Sequence, residues 1–297
     1  MDIKENLKIF ASLIRAKQYV KNLLIFAPIF FSHQLFNIKM ILGAFVMFIS
    51  MAFVSSFVYI INDIIDKDRD KNHPKKSKRP IQSGKIGIKK ALLIGIIFLS
   101  IGLTIALVYN IYAFYILLFY LILNIFYCLK GKNIAIIDII IISIGYVLRL
   151  FLGSISVYNS LDNGITLSKW IIIMTFLLAL FLSISKRYDD LTYNDLTLRE
   201  SIKKYNKQFI EVTMGILASV IIVSYIQYTI DLDIINQFSS NYLYLTSVFV
   251  IMGLLRYLQL TFVEKASHSP CDIIYKDNFL KISILLWIIS FVGVIYL

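Results

Sequence analysis

The sequence predicts an all-α protein that crosses a membrane many times. Three observations predict it. Hydrophobic residues make up 59% of the 297, the mean hydropathy is +0.77, and apolar runs of roughly 18 to 25 residues, the length a bilayer requires, recur from end to end. About nine spans are expected, near 20–37, 40–61, 91–109, 112–129, 134–158, 169–185, 209–230, 241–260 and 280–297, with Pro28 breaking the first. One membrane domain over residues 1–297 is expected to hold them all.

Ahead of the spans, residues 1–19 place Ile3, Leu7, Phe10 and Ile14 at helical spacing with Lys4, Lys8, Arg15 and Lys17 around them. That pattern predicts an amphipathic helix lying on the membrane surface. The apolar run after Lys21 has no small-residue cleavage site at its end, which argues against a removed signal peptide.

A net charge of +12 suggests nucleic acid in a soluble protein, but here its distribution has another cause. Of the 30 Lys and Arg, 26 fall in the stretches 1–21, 62–90, 130–132, 186–207 and 265–281, which share one side of the membrane, while Lys39 and Lys169 fall on the other. The positive-inside rule then predicts a cytoplasmic N-terminus and, with an odd number of spans, a C-terminus outside the plasma (inner) membrane. No nucleic acid partner is expected. Arg149 and Arg256 lie within spans, where an arginine is costly and marks a polar pocket. The cysteines, Cys128 and Cys271, lack metal-ligand spacing and are far apart.

The chemistry concentrates in the loop 62–90, which packs four carboxylates and ten Lys or Arg between two apolar spans. Asn62, Asp63, Asp66 and Asp70 form an N-D-x-x-D-x-x-x-D ladder. If the preceding helix continues, spacings of three and four put the three aspartates on one face about a turn apart. Carboxylates so stacked repel one another and call for a cation. A divalent ion that keeps positions open for phosphate oxygens, Mg²⁺ above all, suits them. A plain topology signal would need Lys and Arg but no periodic carboxylates.

A second cytoplasmic stretch, 186–208, opens with Lys186, Arg187, Tyr188, Asp189 and Asp190, cationic donors for phosphate followed by groups suited to a hydroxylated ligand. It leaves its helix four spans after the ladder leaves the second, which hints at two related halves with converging cytoplasmic ends. The segment from Pro270 to Asp277 carries Asp272 and Asp277.

With the ladder after the second span and the polar motif after the sixth, the chain resembles the UbiA superfamily of intramembrane prenyltransferases. The likeness tightens toward its decaprenyl-phosphate phosphoribosyltransferase branch through Gln18-Tyr19-Val20-Lys21-Asn22, His73-Pro74 with Lys76, Arg79-Pro80-Ile81, Leu148-Arg149, Ser168-Lys169-Trp170, Lys186-Arg187-Tyr188 and Leu255-Arg256-Tyr257. The resemblance implies a UbiA-like helical bundle and Mg²⁺-dependent transfer of phosphoribose from phosphoribosyl pyrophosphate to a polyprenyl phosphate at the cytoplasmic face. Asp63, Asp66 and Asp70 would hold the metal, with Lys186 and Arg187 at the reacting phosphates. Lys21, Asn62, Lys76, Arg79, Arg149, Tyr188, Asp190 and Arg256 would bind substrate. Lys186 to Leu191 departs from the second D-x-x-x-D ladder of ordinary aromatic prenyltransferases, and Asp190 stands where that branch usually has Glu. Two alternatives remain: a polyprenyl diphosphate:aromatic acceptor transferase, and a non-enzymatic protein that binds or flips a polyprenyl phosphate.

Overall fold

The computed structural model describes residues 3–32, 34–71, 76–158, 168–192, 200–264, 273 and 276–296, and every regular element among them is helical. The chain divides into two compact units, Met1–Leu167 with Asp195–Ser201, and Ser168–Asn194 with Ile202–Leu297.

In the first unit, α1 (Ile3–Leu13) leaves Leu7 and Phe10 exposed, as an apolar face meant for a membrane surface would. It ends six residues before the predicted boundary. Arg15 takes a left-handed backbone, φ 52° and ψ 48°, and the chain continues as a 3₁₀ segment over Ala16–Phe26 and a short α2 (Ala27–Phe31) that starts with Pro28 near its N-terminus. The first predicted span is therefore no single α-helix. Eight helices among the described residues are long and apolar enough to cross a membrane.

The first of them, α3 (Ile38–Ile65), is the centre of its unit: 61% of its apolar stretch is buried, against 22% for α5 (Ile88–Tyr109). The two pack closely because the fully buried residues of α5 are all small, Ala91, Gly95, Gly102 and Ala106. A side chain added at Gly102 would come within 2.9 Å of the Ser50 carbonyl, and Ser50 Oγ donates to the Gly102 carbonyl at 2.7 Å. Small residues that let backbones approach are the usual cement between helices in lipid, where apolar burial gives no net drive. Then follow α6 (Ile111–Leu129) and α7 (Ile137–Tyr158), the second of which seats the 3₁₀ segment: at Gly153 there is no room for a Cβ beside the Ile25 carbonyl.

Just past α3, Asp66 bends the chain, and α4 (Lys67–Asp70) resumes the helix. The bonds from Asp66 N to Asn62 O, 3.0 Å, and Asp70 N to Asp66 O, 2.8 Å, keep the helical register across the bend. The condition on which the ladder's shared face depended is met.

The second unit holds α8 (Lys169–Thr192), α9 (Lys207–Ile230), α10 (Leu232–Phe238), α11 (Ser247–Phe262) and α12 (Asn278–Tyr296). Trp170 Nε1 donates to Asp231 at 2.9 Å, tying the start of α8 to the end of α9. Tyr225, Thr246 and Trp287 form a buried chain of hydrogen bonds at 2.7 Å each.

Candidate active site

Asp63, Asp66 and Asp70 are 2%, 4% and 1% exposed, whereas the side chain of Asp68, out of step with them, is 92% exposed. The ladder therefore faces inward as a unit. Three buried carboxylates require compensating charge. Five cations among the described residues supply it.

Arg79 Nη1 stands 2.9 Å from both Asp63 Oδ1 and Asp70 Oδ2. Arg15 forks onto Asp63 through Nη2 and Nε, with its guanidinium 4.8 Å from the centre of the Tyr59 ring. Lys132, itself 3% exposed, donates to Asp66 Oδ1 at 2.5 Å. Arg69 Nη2 lies 2.7 Å from Asp66 Oδ2, and Lys76 Nζ lies 3.7 Å from Asp70 Oδ1. Burial and the neighbouring Arg15 lower the pKa of Arg79, while Asp63 and Asp70 act in the opposite sense.

The loop beyond is shaped to present Arg79. Gly84 takes a positive φ of 76°, the Ile86 amide closes onto the Pro80 carbonyl at 3.1 Å, and buried Gln82 donates to the Asp63 carbonyl at 3.0 Å. Lys132 is presented by a 3₁₀ turn after α6, where Ser201 Oγ donates to its carbonyl at 2.8 Å and also contacts buried Asp138 at 3.3 Å.

For a metal, the donor set is all oxygen, which suits a hard divalent cation. Asn62 Oδ1 is buried and accepts no hydrogen bond, while Asp66 Oδ2 and Asp70 Oδ1 are buried against the cations just named. These residues fit Mg²⁺. The cations nevertheless hold the carboxylates in pairs, and no group of three acidic, His or Cys residues among those described is gathered around one point.

Of the expected substrate residues, Lys76, Arg79 and Asn62 join this cluster, and His73-Pro74 falls outside the described residues. Arg149, in α7, is 5% exposed. It donates to Asn22 Oδ1 at 2.9 Å, Gly145 O at 2.6 Å and Tyr120 OH at 3.2 Å, between the rings of Tyr120 and Tyr146. Lys21 sits half-buried beside Asn22 on the 3₁₀ segment.

In the second unit, Lys186 is exposed at the end of α8 while Arg187 is buried and donates to Asp190 at 3.0 Å. Tyr188 donates to Glu211 at 3.2 Å. Arg256 grips Asp277 and Glu264 at 2.7 and 2.6 Å, closing α11 onto the start of α12, where Asp277 also caps the Leu280 amide. The hydrogen bond from Arg256 holds the Asp277 pKa below the ordinary carboxylate value. Asp272 falls outside the described residues.

Arg15, Arg69 and Lys132 did not stand out in the sequence. They read there as surface charge: Arg15 on an amphipathic helix, Lys132 as one of two lysines in a short loop.

An inward carboxylate ladder ringed by Arg and Lys, on a chain of membrane-length helices, is chemically suited to a divalent cation and phosphorylated ligands. A profile of the UbiA prenyltransferase family matches residues 24–288, and the chain belongs to that family. It is 26% identical over 291 residues to the decaprenyl-phosphate phosphoribosyltransferase of Corynebacterium glutamicum, covering 96% of this chain and 86% of that one. The enzyme of the same name from Mycobacterium tuberculosis is 25% identical over 93% of this chain and 90% of its own. A UbiA homologue from Archaeoglobus fulgidus, bound to GPP and Mg²⁺, shares the fold with a TM-score of 0.72, 20% identity, and coverage of 97% and 100%.

Proposed function

We propose that this UbiA-family transferase moves phosphoribose from phosphoribosyl pyrophosphate to a polyprenyl phosphate at the cytoplasmic face of the membrane, in a Mg²⁺-dependent reaction that releases pyrophosphate. The observation that carries the reading is the ladder itself: five cations outnumber three buried carboxylates, so the cluster draws anions even as its carboxylates supply metal ligands. The names of the two relatives support phosphoribose as the group transferred.

Asp63, Asp66 and Asp70, with Asn62, are the residues to hold Mg²⁺. When bound, the ion would offset the pyrophosphate charge and stabilise the leaving group. Lys76 and Arg79 would donate to the pyrophosphate oxygens as their charge grows on departure from the anomeric carbon. No side chain is needed as a base, because the attacking oxygen of the lipid phosphate is already anionic near neutral pH. Lys21 and Arg149 in the first unit, and Lys186, Arg187, Tyr188 and Asp190 in the second, are the candidates for the remaining phosphates and the ribose. The engagement of Arg256 by two carboxylates favours a structural role for it over substrate binding.

The test is pyrophosphate release by purified protein in detergent given phosphoribosyl pyrophosphate, Mg²⁺ and a polyprenyl phosphate, with the lipid weighed by mass spectrometry. Lipid-dependent release and a lipid heavier by one phosphoribosyl group are expected. Asp66→Asn should stop turnover while the protein still inserts in the membrane; full Mg²⁺-dependent activity in that variant would overturn the metal assignment. Mg²⁺ and GPP on the Archaeoglobus homologue keep a second reading in view, a prenyl diphosphate donor. Release only from such a donor with an aromatic acceptor would establish it.

A further inference from the structure

We propose that Ser201 is a positioning residue for the reaction, acting through Lys132 to hold that ammonium on Asp66, and that the turn between α6 and α7 is built as its frame. The proposal rests on the reaction assigned above and adds to it a residue from the connection between α8 and α9.

Lys132 is held at both ends. Its Nζ donates to Asp66 Oδ1, and its carbonyl accepts from Ser201 Oγ at 2.8 Å. A lysine carries its charge on a flexible four-carbon stem, so a buried ammonium stays on one oxygen only where its own backbone is fixed. Ser201 is 0% exposed, and Asp138 Oδ2, on a residue equally buried, stands 3.3 Å from the same hydroxyl. A serine has one proton to give. Shared between these two acceptors, it ties the Lys132 carbonyl to the first turn of α7, where Asp138 lies.

The turn leaves the backbone little choice. Gly131 and Lys132 are both buried, and a Cβ at Gly131 would come 2.8 Å from Ile141 Cδ1 and 3.3 Å from the Phe126 ring. The amides of Asn133 and Ile134 close onto the Lys130 and Gly131 carbonyls at 3.0 and 3.1 Å. Ile136 then takes φ 71°, a left-handed backbone that a β-branched side chain resists. That residue is 51% exposed, so its own burial is a weak reason for the strain. Its carbonyl accepts from the amides of Ile139 and Ile140 at 3.2 and 3.0 Å, which starts α7. Strain of this kind persists only where the surroundings over-determine the backbone, and it gathers where one geometry is needed. Here the geometry delivered is that of Lys132. A mobile lysine would balance the charge of Asp66, but a fixed one also keeps its carboxylate aimed before a polyphosphate arrives, which lowers the cost of binding it.

The experiment compares full-length wild type, Ser201→Ala, Ser201→Thr and Asp138→Asn in detergent. Labelling of lysines by an N-hydroxysuccinimide ester is read residue by residue by mass spectrometry, with exposed Lys130 as the internal standard. KM and kcat are measured for phosphoribosyl pyrophosphate and for the polyprenyl phosphate. Ser201→Ala is expected to label Lys132 about tenfold faster relative to Lys130, and to raise KM for phosphoribosyl pyrophosphate by about the same factor with KM for the lipid unchanged. A merely structural defect would instead lower the fraction of active enzyme, and with it kcat alone. Ser201→Thr keeps the donor and should label and turn over close to the wild type. Asp138→Asn keeps the size of the carboxylate without its charge and should move Lys132 in the same direction as Ser201→Ala. Lys132 labelled no faster in Ser201→Ala would overturn the proposal, and so would a fall in kcat with both KM values unchanged or a Ser201→Thr that labels like Ser201→Ala. If Ser201→Ala fails to fold, Asp138→Asn decides by the same ratio. If the wild type releases no pyrophosphate from phosphoribosyl pyrophosphate, the reaction assigned above fails, and the labelling of Lys132 still decides the frame.

Discussion

Lys132 carries a full charge at 3% exposure, and its partner Asp66 is as deeply buried. A pair so placed adds little net stability over an apolar pair, but removing Lys132 leaves buried Asp66 with Arg69 alone, at a cost of up to about 3–5 kcal/mol. Lys132→Met is therefore expected to lower the thermal midpoint of the detergent-solubilised protein sharply and to stop turnover. Lys132→Met/Asp66→Asn should regain most of the stability and none of the activity, since the stranded charge is gone and the ligand with it. A double variant no more stable than Lys132→Met would mean that Lys132 serves packing and not Asp66. Asp63 and Asp70 follow the same logic with Arg79 between them. At this scale the ladder was legible because its period is helical, and sequence spacing reports neighbours on one helix. Lys132 lies 66 residues from Asp66 and Arg15 lies 48 from Asp63, so those contacts follow from tertiary packing that no local pattern records.

At the scale of elements, the 3₁₀ segment Ala16–Phe26 is the part whose geometry departs most from expectation. Hydropathy registers a span wherever apolar residues accumulate, but it does not register which turn they adopt, and a 3₁₀ run of eleven residues is uncommon. Contacts on α7 hold it in place. Arg149 bonds Asn22, and Gly153 leaves room for the Ile25 carbonyl that any Cβ would meet. Gly153→Val should force the segment off α7 and cost about 1–3 kcal/mol, the range for overpacking a filled interface, read as a fall in thermal midpoint. Because the same segment follows Arg15, pyrophosphate release should fall with it. Gly215→Ala, where an added Cβ meets nothing within 4 Å, serves as the control and should change neither. The α3–α5 contact was legible in part: Gly95 and Gly102 stand in the sequence, yet only the assembled pair shows that both face the same partner.

For the whole molecule, charge and length together decide how the chain lies in the bilayer. Among the described residues eight helices are long enough to cross, yet the lopsided placement of Lys and Arg asks for an odd number of crossings between the first cytoplasmic stretch and Lys39. The 3₁₀ segment removes the conflict. Eleven residues rising about 2.0 Å each and five of α2 rising about 1.5 Å reach roughly 30 Å, the thickness of the hydrocarbon core, in fewer residues than an α-helix needs. Residues 16–31 are thus proposed as a crossing, with α1 and the ladder in the cytoplasm and Lys39 outside. Lys8, Lys39 and Lys85 are all exposed, and each is tested as a single cysteine after Cys128 and Cys271 are replaced by serine. A membrane-impermeant maleimide added to intact cells should label Lys39→Cys alone, and inside-out vesicles should expose Lys8→Cys and Lys85→Cys. If Lys8→Cys and Lys39→Cys are labelled from the same side, residues 16–31 re-enter without crossing. The ladder would keep its cytoplasmic position in that case, because Lys85→Cys reports on it across α3 independently of the first segment.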